Sequence, residues 1–290
     1  AAAPTRASDW PSIDSRGGGR FSVGTVMASR DMHDAPLEER IAIEQRIWGP
    51  ERDRTFSDPS MLQLTYPSYA EFFGAYPEYR YVRDFFGASV DGRRVLEVGC
   101  GAGVVSVALA RSGATVTAVD VSASGLRVTQ ERARHYGVAD RVETVHAPAE
   151  RLDFPAGSFD LFLAKSVVHH LLIDDVMPLV YRFLAPGGRG AIIEPQSNPL
   201  LDFAREHVPY PGKVAEGEHG TDEFFTPATV RRILGYFDYG DSRAFPLFGM
   251  LQNLVGMRGK GYEAPRRQEA PIRSLRAIAD PLDDVLFRVL

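Results

Sequence analysis

A single cysteine, Cys100, stands in a chain of 290 residues. One thiol excludes an internal disulfide framework, and the chain is expected in a reducing compartment, the cytoplasm. Lysine is nearly missing: it occurs only at 165, 213 and 260, so the basic residues are almost all Arg. The formal charge of -5 argues against a nucleic-acid footprint. No apolar run is long enough to span a bilayer, so no membrane partner is expected. The first twenty residues lack the apolar stretch of a secretion signal. No Cys, His or Asp spacing matches a familiar metal site, so no metal is expected, and His207 and His219 do not amount to one.

What is present divides by texture. Residues 1–34 are rich in Gly, Ser, Ala and Pro and read as a flexible arm. If a neighbouring subunit holds that arm, the chain is a homo-oligomer. Residues 35–92 read as a helical and aromatic lid segment: a helix over 36–48, then an aromatic crowd from Tyr66 and Tyr69 to Phe86. A core follows over 93–246, interrupted by an insertion at 196–225, and 247–290 read as a C-terminal helical segment.

From residue 93 strands alternate with helices. Strands are expected at 94–98, 115–119, 141–145, 159–164 and 190–193, with a turn at 185–188 before the last. Helices are expected at 104–111, from 122 or 124 to 137, and at 174–184. A helix from 226 to about 237 and a fair strand at 241–245 follow. This order predicts an α/β, doubly wound, mostly parallel sheet with helices on both faces. Such sheets bind ligands at the carboxyl ends of their strands.

The first strand runs into glycines: VLEVGCGAG, residues 95–103. Gly99, Gly101 and Gly103 let the backbone approach a ligand closely. A dinucleotide fingerprint wants a further glycine two residues beyond the second gap, and Val104 stands next instead. Glu97 sits just before the glycines, where it would repel a pyrophosphate and welcome a cation. Asp120 ends the second strand, placed to take two ribose hydroxyls. An amino group, a positive centre and a ribose without phosphate describe S-adenosylmethionine (SAM).

Residues 95–190 resemble the core of the class I SAM-dependent methyltransferases, small-molecule group. EVGCGAG (97–103) resembles that family's first motif and VTAVD (116–120) its acidic second-strand end. FPAGSFDL (154–161) is similar to the entry to its fourth strand, and LAPGGRGAIIEP (184–195) to its turn and fifth strand. The resemblance implies a Rossmann-like, seven-stranded sheet, SAM as cofactor, Glu97 near the methionine end and Asp120 on the ribose. Cys100, Val121 and Lys165 join them as cofactor-side candidates. Pro148 occupies the place where the family often has an adenine-binding acid. Proline has no side-chain acceptor, so adenine would rely on the Ala149 amide and on Glu150, which reads equally as a solvated acid.

The reaction so implied is methyl transfer, in which alignment dominates and an O- or N-nucleophile needs a base. His169 and His170 follow the fourth strand, and Glu194 ends the fifth. All three are catalytic candidates, with His169 preferred and His170 expected to brace the next helix. Substrate-side candidates are Tyr66 and Tyr69, which read more readily as packing than as pocket, and His207, Tyr210 and Phe225 of the insertion. The acceptor is expected to be a small hydrophobic or aromatic metabolite, of natural-product or quinone type by analogy. Cyclisation of a polyene or terpenoid within the same fold, and a non-catalytic SAM-binding partner protein, are the alternatives.

Overall fold

In the computed structural model, residues 36–48, 62–75, 77–194 and 226–243 are described. The arm at 1–34, the insertion with His207, Tyr210 and Phe225, and the segment at 247–290 lie outside them. Three helices come first: α1 (Leu37–Trp48), α2 (Tyr69–Gly74) and α3 (Pro77–Phe86). Then β1 (Arg94–Val98), α4 (Val104–Arg111), β2 (Thr115–Asp120), α5 (Ala123–His135) and β3 (Val142–His146) follow. The series closes with β4 (Phe159–Lys165), α6 (Ile173–Phe183), β5 (Leu184–Ile193) and α7 (Pro227–Leu234).

The five strands are parallel in the order β3-β2-β1-β4-β5. β1 is central and buried on both faces after Arg94. Its side chains alternate: Val95 joins one apolar cluster with Val116, Leu161 and Leu163, while Leu96 and Val98 join the other with Val119 and Phe162. That two-sided burial is why the strand reads as an apolar run rather than an alternating one. The chain leaves β1 toward β2 on one side and later fills β4 on the other. The reversal opens a crevice at the carboxyl ends of β1 and β4.

The aromatic segment belongs to the first of these clusters. Tyr69, Phe72, Phe73 and Phe86 are all buried there. Phe72 stacks on Tyr79 with centroids 5.0 Å apart. The Tyr69 hydroxyl donates to Gly87 O at 2.9 Å. These side chains roof one face of the sheet, and removing one such ring would cost about 3–5 kcal/mol.

Beyond shifts of a few residues at element ends, two elements differ from expectation and one open boundary is resolved. β5 begins at Leu184, which pairs with Phe159. The expected turn at 185–188 is an irregularity inside that strand, before Leu161 pairs with Arg189. Leu184 packs on the second cluster, and that anchorage keeps the residues before the irregularity on the sheet. α5 starts after Ser122, whose hydroxyl accepts from Gly125 N, so 122 rather than 124 is the cap. No strand forms at 241–243, where Asp241 instead turns its carboxylate to the Tyr81 hydroxyl at 2.6 Å. Among the described residues no helix is long and apolar enough to cross a membrane.

Candidate cofactor cleft

The loop after β1 is held open by its own backbone. Gly99 N and Cys100 N both donate to Val119 O, at 2.9 and 3.1 Å. Gly99, Gly101 and Gly103 all have positive φ, at 73°, 53° and 71°. They are glycines for different reasons. A Cβ on Gly99 would lie 2.5 Å from Val167, and one on Gly103 would lie 2.5 Å from Thr129. A Cβ on Gly101 would meet nothing within 4 Å. The outer two glycines are filled by neighbours, and the middle one faces open space.

That space is a cleft at the carboxyl edge of the sheet. Gly99, Gly101, Asp120, Val121, residues 147–150, residues 166–167, His170 and Leu171 line it. Leu37, Arg40, Ile41 and Glu44 of α1 form its remaining wall. Asp120 Oδ2 accepts from Gly101 N at 2.7 Å and Oδ1 from Ser122 N at 2.8 Å. Each oxygen retains acceptor capacity beyond these bonds. Burial raises the Asp120 pKa, and the Ser122 and Gly101 amides oppose that rise. Glu150 also lines the cleft. Burial raises its pKa against the pull of the Leu172 amide, which its carboxylate accepts at 3.0 Å. It is therefore not simply a solvated acid: its carboxylate joins the turn at 149–151 to the start of α6.

Several expected residues stand elsewhere. Glu97 is 3% exposed and does not line the cleft; it lies within the sheet and accepts from the Ser106 hydroxyl. Burial pushes its pKa up to about 7, with the Ser106 bond and the charge of Lys165 pulling the other way. Cys100 is buried away from the cleft, and burial holds its thiol well above the usual range. Lys165, Tyr66 and Tyr69 are likewise outside the lining.

The turn after β4 is shaped by Glu194. Its Oε1 accepts from Val167 N at 2.8 Å and Val168 N at 2.6 Å, and its Oε2 lies 2.5 Å from His169 Nδ1. The Glu194 side chain is 2% exposed. Ser166, just before, has φ 52°, a strained setting for a non-glycine residue on a cleft wall. The two histidine rings sit 4.0 Å apart, but His170 lines the cleft and His169 does not. The expected division, with His169 inward and His170 bracing, is reversed on this wall. One turn of 3-10 geometry at 168–170 sends consecutive side chains in different directions.

Sequence reasoning missed Arg132. It is 1% exposed, donates to Ala102 O in the glycine loop and reaches Leu62 O at 3.4 Å. A charged residue so buried needs such partners. Its place, late on α5 among Glu and Arg residues, gives no local sign of the role. Arg40 and Glu44 were missed for the same reason.

Comparison with known proteins gives this geometry a lineage. Residues 95–188 match the family model described as a methyltransferase domain. This stretch carries a methyltransferase domain. Its family uses SAM as cofactor. The chain is 32% identical over 148 residues to a ubiquinone biosynthesis O-methyltransferase of Psychrobacter arcticus, a match spanning 49% of this chain and 57% of that protein. It is 42% identical over 105 residues to the methyltransferase GfsG of Streptomyces halstedii, spanning 36% and 38%. The chain thus spans little more than half of these curated relatives at most. In fold, it is similar to the geranyl diphosphate C-methyltransferase of Streptomyces coelicolor A3(2), with a TM-score of 0.56 and 17% identity over 84% of this chain and 95% of that one.

Proposed function

We propose that the chain transfers a methyl group from SAM to a hydroxyl of a small hydrophobic or aromatic metabolite, of quinone or natural-product type. The observation that carries the reading is the open face of Gly101 beside the Asp120 carboxylate. The loop brings backbone, not side chain, to a cleft whose wall holds an acceptor for ribose hydroxyls. The O-methylation in ubiquinone biosynthesis for which several relatives are named favours the hydroxyl. A small-molecule enzyme of the cytoplasm fits this reading, and the net charge of -5 speaks against nucleic acid as substrate.

The bound cofactor supplies an electrophilic methyl on a positively charged sulfur. The protein's part is to hold, align and deprotonate. Asp120 is assigned the ribose, and Ala149 with Glu150 the adenine end. Glu97, buried in β1 just before the loop, acts as a counter-charge without contact once it is ionised, above its pKa of about 7. His169, which lies outside the lining of the cofactor cleft, is assigned the base on the ground of its bond to Glu194. Glu194 accepts its Nδ1 proton, which leaves Nε2 to take a proton from the acceptor hydroxyl. Glu194 itself, with both oxygens engaged, orients rather than reacts.

The test is turnover of the full chain with SAM and a panel of catechols, hydroquinones and polyketide alcohols. Release of S-adenosylhomocysteine (SAH) with a methyl ether from one class supports the reading. A chain that binds neither SAM nor SAH by calorimetry refutes it, and a product of unchanged mass but altered skeleton would put cyclisation in its place.

A further inference from the structure

The wall of the cleft contributed by α1 is polar where it meets His170. Leu37, Arg40, Ile41 and Glu44 recur at helical spacing and lie on one face. Arg40 is 3% exposed and Glu44 8%. Both converge on one residue. Arg40 Nη2 donates to the His170 carbonyl at 3.1 Å. Glu44 Oε1 stands 3.3 Å from His170 Nδ1, with both side chains about one-tenth exposed. A surface helix that needed only to cover a crevice would bury apolar groups there. Burying two charges instead is costly unless they are paired in a specific geometry.

We propose that Glu44 is a positioning residue of the cofactor cleft: it fixes the imidazole of His170 from α1, while Arg40 fixes the backbone of the same residue. The inference rests on the reading of the cleft as a SAM site. Backbone and ring are both met from one helix, by residues four apart, so the seating of α1 favours the orientation in which His170 faces the cleft. His170 is then a cofactor-side wall residue whose rotamer depends on a segment 126 residues earlier in the chain. His169, beside it, is held by Glu194 from the other side of the sheet edge. The two rings therefore take their orientation from different partners, His170 from α1 and His169 from Glu194.

The test is a double-mutant cycle in the full chain, read by calorimetry with SAH. Glu44→Gln, His170→Asn and the double variant are compared with wild type, and Glu38→Gln, on the exposed ion pair with Arg151, serves as control. Each single change is expected to weaken SAH about tenfold, and the double variant is expected to bind no worse than the weaker single. Thermal melts without ligand, on the same proteins, separate a general loss of folding from a loss at the cleft. Wild-type affinity in Glu44→Gln, or losses that simply add, would overturn the inference while leaving the cofactor reading intact. If wild type itself ignores SAH, both fall. Should Glu44→Gln melt early, Arg40→Lys repeats the test: it keeps the charge but loses the planar donor, and wild-type SAH affinity there would likewise count against the inference.

Discussion

The two halves of the cleft are built by different means. On the β1–β2 side backbone does most of the work: three glycines, amides to Val119 O, and a carboxylate that binds the loop it faces. On the β4–β5 side the same wall is made by side chains: Glu194 under a strained turn, His169 on Glu194, and His170 met by α1. The backbone half draws its partners from 19 to 30 positions away, whereas the side-chain half is closed by Glu194, 25 positions away, and by Glu44, 126 positions away. A backbone-built surface tolerates little change but says nothing about the reaction. A side-chain-built one can change its chemistry with the fold intact.

The largest expected effect is on stability, from the acid beneath the backbone half. Glu97 has a folded pKa of about 7 against an ordinary 4.5, so the folded chain holds a proton that the unfolded chain has released between those values. Its contribution is fully present below pH 4.5 and is lost as pH rises through 7. Glu97→Gln should match wild type near pH 4.5 and exceed it at pH 8 by up to about 3.5 kcal/mol, from 2.5 pKa units at ~1.4 kcal/mol each. Urea unfolding at pH 5, 6.5 and 8 reads this directly. Parallel curves for the two proteins would mean that Glu97 is ionised throughout.

On the side-chain half, His169→Gln should lower kcat about a hundredfold or more while SAM affinity stays as in wild type. The loss should shrink for acceptors that are already ionised. Equal losses for both kinds of acceptor would leave alignment, not proton removal, as the role of this wall.

A smaller and sharper comparison lies within the glycines. Gly101→Ala should fold and melt near wild type, at a cost of about 1 kcal/mol for its positive φ, yet bind SAH at least tenfold more weakly. Gly103→Ala should lose stability first, because Thr129 stands where its Cβ would go. If both variants lose the same property, the middle glycine is not the one that faces the ligand. Asp120→Ala should weaken SAH by about tenfold as well, and wild-type affinity there would remove the ribose assignment.

This contrast also explains what the sequence made legible. β1, the glycine loop and Asp120 could be read because a doubly buried strand is an uninterrupted apolar run, and because a positive φ selects glycine wherever it occurs. The layered α/β fold followed from the same periodicities. Tyr69 could not be assigned from its type, since an aromatic at helical spacing serves a core or a pocket alike, and only its bond to Gly87 O and its burial place it in the core. The inward histidine was misjudged because a 3-10 turn and an α-turn point successive residues differently. Glu44, Arg40 and Arg132 act across the tertiary fold, and no local pattern marks a charge that is destined to be buried.

Arg132 has a consequence for where this domain can be cut. Its guanidinium ties the carbonyl of Ala102 in the glycine loop to that of Leu62, which lies ahead of the first recognisable strand by more than thirty residues. A version trimmed to start at the sheet would keep every motif and strip away one of the acceptors that make this buried cation tolerable. A piece that keeps this buried cation satisfied therefore has to include residue 62, although every recognisable motif lies after it.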